Sequence, residues 1–93
     1  MNIKVLRSQA EKKQGLQHLT EIPADTVYVF VAPLGGLFHS RNVPEPFDIL
    51  FLSPTLSVLG RSLVTPPDGV AFVPLGSAYA LEAKVGVLDK FIK

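Results

Sequence analysis

The chain has no cysteine, no tryptophan, one methionine and two histidines. Without thiols there is no disulfide framework, no thiolate zinc site and no cysteine redox chemistry, and the residues carry no mark of a redox compartment. Charge is sparse as well. Of 93 residues 18% are ionic, nine basic against eight acidic, for a formal net charge of +1. Such a balance offers no electrostatic footprint for nucleic acid or for an anionic membrane. No apolar run approaches the ~20 residues that span a bilayer, and Met1-Asn2-Ile3-Lys4-Val5-Leu6-Arg7 lacks the apolar region and cleavage site of a secretory signal. The expectation is a chain that stays where it is made, in the cytoplasm or in an assembly formed there. Residues 1–93 have room for one core, so a single compact domain is expected and a multi-domain enzyme is excluded.

Apolar residues, by contrast, are abundant: 47% of the chain, with a mean hydropathy of +0.33. A domain this small leaves about 40% of its extended-chain surface exposed, so part of that apolar complement must lie outside a monomeric core. The surplus points to a protein partner or a homo-oligomer.

Turn residues divide the chain into short segments. Ile3 to Leu6 read as an opening strand, and Ser8 with Glu11 has the capping-box spacing that predicts a short helix over residues 9–14, closed by Gly15 and covering at best a sheet edge. Thr26 to Val31 is β-branched and aromatic, apolar on both faces, as in a central strand. After the Pro33-Leu34-Gly35-Gly36 break come Leu37 to Ser40, a loop stiffened by Pro44 and Pro46, and the most apolar stretch, Phe47 to Leu52, interrupted by Asp48. Leu56 to Thr65 predicts a strand with a kink or bulge at Gly60, and Pro66-Pro67-Asp68-Gly69 a turn. Val70 to Val73, Ser77 to Ala83 and a tail strand over 85–92 complete the reading. The echo of Phe30-Val31-Ala32-Pro33-Leu34-Gly35 in Phe72-Val73-Pro74-Leu75-Gly76 reflects shared turn chemistry at strand ends and not duplication. These spacings predict an α+β, mainly β fold: a small twisted antiparallel sheet or partly closed barrel of about six strands with one short N-terminal helix.

Three stretches carry a family resemblance. They are Gly15-Leu16 followed by Tyr28-Val29-Phe30, then Phe38 through Phe51 with its Arg41-Asn42 turn and Pro46-Phe47-Asp48-Ile49-Leu50-Phe51 strand, and lastly Ala80-Leu81-Glu82 with Gly86 beyond. Together they resemble the bacterial and archaeal proteins grouped as domain of unknown function 192, over about residues 3–87. Gln17 stands where that family has Met, and His39-Ser40 where it has Trp-Met. The resemblance implies a compact, mostly β domain with a helix near the start, and no activity.

Among candidate sites Asp48 comes first. A carboxylate within an apolar strand is costly unless paired, and Arg41 and Asn42 are the expected partners, forming either a structural lock or the floor of a small-ligand pocket. The lock is the ordinary reading of such a group. His39, Ser40 and Asp48 fail as a triad, because strand neighbours point to opposite faces and no Gly-x-Ser-x-Gly elbow is present. His18 and His39 lack metal-ligand spacing, and Gly35-Gly36 lacks the Lys and the helix of a phosphate loop. No catalytic, cofactor or metal site is therefore expected. The leading functional expectation is a non-enzymatic structural or interaction module that docks through apolar surface onto itself or a larger assembly, virion decoration or capsid stabilisation included. The alternative is a small-ligand-binding accessory domain using Arg41, Asn42 and Asp48, and an enzyme comes last for want of a nucleophile, base and oxyanion donors placed together.

Overall fold

The computed structural model describes residues 1–33 and 36–91. The elements run β1 (Asn2–Leu6), α1 (Gln9–Gln14), β2 (Thr26–Val31), β3 (Leu37–His39), β4 (Phe47–Leu52), β5 (Val58–Val64), β6 (Val70–Phe72), β7 (Tyr79–Lys84) and a 3-10 turn at Val87–Phe91. Five strands form one sheet in the order β1-β2-β7-β4-β5, and β3 pairs with β6 in a separate ribbon. The fold is thus α+β and mainly β, with seven strands among the described residues.

Three expectations need correction. The main sheet is mixed and not antiparallel, because β1 runs parallel to β2, with Asn2 opposite Thr26 and Leu6 opposite Phe30. A parallel neighbour cannot be reached by a tight turn, and the segment holding α1 supplies the crossover. Closure into a barrel does not occur either, since β1 and β5 remain as free edges. Nor does the tail form a strand: Gly86 adopts φ +92°, which turns the chain off the end of β7. Val87 and Leu88 then fold back into contact with Val27, Leu50 and Ala83. Ile92, the end of the expected tail strand, lies outside the described residues.

Helix α1 forms where its cap demands. Ser8 Oγ accepts the Glu11 N–H at 3.1 Å, and Glu11 Oε1 accepts the Ser8 and Arg7 N–H groups at 3.1 and 3.3 Å. These bonds hold the Glu11 carboxyl below its usual range, the backbone of Ser8 contributing most. The helix buries none of its own residues. Its tie to the core is Leu16, just past Gly15, whose φ of +49° reverses the chain.

Alternation along the strands gives the sheet two unlike faces. On the inner face Leu6, Tyr28, Phe30, Phe47, Ile49, Phe51, Val64 and Ala80 meet Leu16, Ile22, Val43 and Ala71 from the covering segments. Phe38 of the ribbon packs edge-on against Phe30, with centroids 5.0 Å apart. The outer face carries a smaller cluster of Val27, Leu50 and Ala83 under Val87 and Leu88. Gly60 falls at the irregularity expected of it: Phe51 pairs with Gly60 but Leu52 with Val58, so Leu59 is the extra residue.

Candidate functional site: a buried carboxyl in an apolar cavity

Strands β4 and β7 lie side by side at the centre of the sheet, and each carries one buried acid. Asp48 pairs with Ala83 and Ile49 with Glu82, so the two carboxyls are one register step apart on opposite faces.

Asp48, 5% exposed, is satisfied on the outer face. Its Oδ2 accepts Arg61 Nη2 at 3.0 Å and the Gly86 N–H at 3.0 Å. Arg61 reaches across from β5, where it also meets Asp89 Oδ1 at 2.5 Å. Asp89 and then Asp48 hold the guanidinium above its ordinary pKa. The cluster ties β4, β5 and the turn after β7 into one unit.

Arg41 and Asn42 are elsewhere. Both are exposed, with Asn42 at φ +62°. The Asn42 carbonyl accepts the His18 N–H at 2.8 Å, and its Nδ2 donates to Gln17 Oε1 at 3.4 Å. Arg41 donates its backbone N–H to His39 Nδ1 at 3.1 Å. The turn therefore pins the segment after α1 to the β3–β4 loop, while Asp48 draws its cation from Arg61, thirteen residues further on.

Ser40 is fully buried and occupied: its Oγ accepts the Gly69 N–H at 2.8 Å and donates to the Thr65 carbonyl at 3.1 Å. It fastens the turn of residues 65–69, in which a Cβ on Gly69 would lie 2.5 Å from the Thr65 oxygen. Among the described residues no three His, Asp or Glu side chains come together as a metal site.

Glu82 is the residue that sequence reasoning passed over. The residue is 3% exposed, and its carboxyl makes no hydrogen bond among the described residues; no fully enclosed side-chain oxygen is left without a partner there, so the Glu82 oxygens keep contact with accessible space. It opens onto a cavity of about 430 Å³ between α1, the inner sheet face and the β3 ribbon. Phe30, Phe38, Phe47, Leu16 and Val43 make the apolar wall, and Gln9, Lys12, Lys13, Gln14, Gln17 and His39 edge it with polar groups. Burial alone pushes the Glu82 carboxyl up to about 8, so it is mostly protonated at neutral pH. Lys12 does not relieve it: Lys12 Nζ donates to the Val31 and Ala32 carbonyls at 3.2 and 3.4 Å.

Two solved structures share this fold. A protein of unknown function from Novosphingobium aromaticivorans DSM 12444 superposes with a TM-score of 0.81 at 24% identity, over 98% of this chain and 69% of its own. A candidate transcription regulator from Sinorhizobium meliloti 1021 superposes with a TM-score of 0.79 at 17% identity, over 96% of this chain and 72% of its own. At those identities the likeness is one of fold. No family model and no curated protein matches the chain.

A signal for Glu82 was present in outline. With Tyr79 and Leu81 on one side of β7, Ala80 and Glu82 occupy the other. An alternating acid ordinarily marks the solvent side of a strand. Here the side of β7 that carries Ala80 and Glu82 is the inner face, covered by the segment after α1 and by the β3 ribbon.

Proposed function

We propose that this chain is a non-enzymatic binding module that holds a small, mainly apolar molecule in the Glu82 cavity. The observation that carries the reading is an acidic residue more than nine-tenths buried, whose carboxyl makes no hydrogen bond among the described residues and keeps contact with the space of the cavity. Leaving such a group unmatched costs a few kcal/mol, a cost that a ligand supplying the missing hydrogen bond would offset. The volume lies within the range of small-molecule sites, and the lining has their usual character of aromatic wall and few polar groups. The accessory-domain alternative is thereby moved from Arg41, Asn42 and Asp48 to Glu82. Kinship with domain of unknown function 192 stays part of this proposal, on the strength of the Arg41-Asn42 turn and the strand from Phe47 to Phe51, and adds no activity to it.

The test is an amide NMR titration with 1-naphthylmethanol. The reading requires saturable shifts at Phe30, Phe47 and Glu82 that are abolished by Ala10→Trp, which fills the mouth from α1. Absence of shifts at those amides up to the solubility limit, with this alcohol and with its amine and carboxylate analogues alike, refutes it.

A second reading rests on the outer face. Ile3 is 63% exposed and Leu63 60%, with Val5 and Val58 also open beside half-buried Val29, Leu52 and Leu81. Arg61 on this face is shared by Asp48 and Asp89, so a face-to-face contact with a second copy covers a cluster with one net negative charge per copy amid apolar strands. Protein partnership through this surface is the interaction-module reading, and a role in a virion or capsid would be one instance of it. Sedimentation equilibrium decides: a dimer that Leu63→Lys turns into a monomer supports it, and a wild-type monomer at high concentration removes it.

A further inference from the structure

We infer that the ligand of the Glu82 cavity is a primary amine on a compact apolar body, bound with its ammonium group against the Glu82 carboxylate. The inference rests on the binding reading above and names the ligand's chemistry.

The cavity is lined by one acid, Glu82, and by the cations Lys12 and Lys13, neither of which is bonded to it among the described residues. Elements packed around Glu82 bring several titratable groups close, and each with a recorded contact is turned elsewhere. On α1, Lys12 is bonded to the carbonyls at the end of β2, and Glu11 to the backbone of Arg7 and Ser8. Lys84, two residues along on the same strand face, lies 3.4 Å from Glu45 Oε1. Tyr28, opposite Glu82 across the strand pair, is buried with its hydroxyl pushed towards the neutral form by desolvation, and Lys4, opposite Tyr28 on β1, holds its ammonium over the Tyr28 ring, 5.9 Å from the centroid. His39 is exposed and its Nδ1 accepts the Arg41 N–H. Lys13 stands exposed at the mouth, where water and salt screen it.

A ligand that reaches the floor therefore meets a lone acid among aromatic rings. A carboxylate there repels an acidic ligand. A hydroxyl meets the neutral acid only as one more weak hydrogen-bonding group. An ammonium group matches it on three counts: opposite charge, N–H donors for both carboxyl oxygens, and attraction to ring faces such as Phe30 and Phe47. A quaternary ammonium would forgo the donors. When the amine binds, Glu82 gives its proton to solvent while the ligand keeps its own, so one ion pair forms and one proton is released.

Three naphthalene probes of nearly equal size separate these chemistries: 1-naphthylmethylamine, 1-naphthylmethanol and 1-naphthoate, each titrated by NMR and calorimetry. At pH 8 the amine is expected to bind at least about tenfold more tightly than the alcohol, with the naphthoate weakest. Glu82→Gln is expected to abolish that preference while leaving the alcohol's affinity within about threefold. On the wild-type protein, with no substitution, amine affinity should rise about tenfold from pH 6 to 7 and level off above 8, with proton release in calorimetry, while the alcohol's stays flat. An alcohol that binds as tightly as the amine, or an amine preference that survives in Glu82→Gln or shows no pH dependence, overturns the inference and leaves the cavity reading standing. No shift at Phe30 and Phe47 with any probe overturns both.

Discussion

Asp48 and Glu82 make a controlled comparison inside one molecule: two acids on adjacent strands, one register step apart, equally buried and facing opposite ways. On the outer face a guanidinium and a backbone N–H converge on Asp48. On the inner face nothing among the described residues converges on Glu82, and open volume lies beside it. Burial by itself therefore separates neither structural from functional acids; the content of the first few ångströms does. A buried acid with its partners in place contributes to the fold, whereas one without them weakens it and is retained only at some cost in stability.

That contrast can be broken most visibly at Glu82. Because its folded-state pKa is raised, its stabilising protonated form is fully present below about 4.5, and the associated stability is lost as pH rises through about 8. Glu82→Gln removes the titration. Urea unfolding should show the variant more stable than wild type by roughly 3 kcal/mol at pH 7, with the gap closing towards pH 4.5. A variant of equal or lower stability at pH 7 would mean that Glu82 has a partner after all. Asp48→Ala should act in the opposite direction, costing about 2 kcal/mol at pH 7 in the same assay, because Arg61 keeps Asp89 and solvent while Gly86 loses its acceptor. The smallest effect belongs to Arg41→Ala, within about 0.5 kcal/mol, since its side chain makes no recorded bond to Asp48. A larger loss there would restore Arg41 as a member of the lock.

Much of the local structure was readable residue by residue. Ser8 and Glu11 announced α1, the β-branched run Thr26 to Val31 announced β2, and Phe47 to Leu52 announced β4, each with the bounds the structure has. Gly60 announced its bulge. The tail misled because Val85 to Ile92 has strand composition, while the positive φ at Gly86 and the burial of Leu88 against the outer face dictate a turn. Asp48 was legible as a residue needing partners but its partners were not. Nearness in sequence favoured Arg41, whereas antiparallel pairing of β4 with β5 places Arg61 opposite Leu50, two residues along from Asp48 and on the same face. Glu82 was the least legible, because its burial follows from the distant segments that cover the inner face of the sheet.

Composition, periodicity and turn chemistry act within a few residues of themselves, and so the chain alone decides where α1, β2 and β4 begin and end, that no thiol chemistry is available, and that an acid in an apolar run must be met by something. Strand order is a long-range outcome, reached only when β1 crosses over to lie parallel to β2 and β7 inserts at the centre of the sheet. That order determines which cation reaches Asp48 and leaves Glu82 facing a cavity. Both are properties of side chains brought together from distant parts of the chain, and no local pattern contains them.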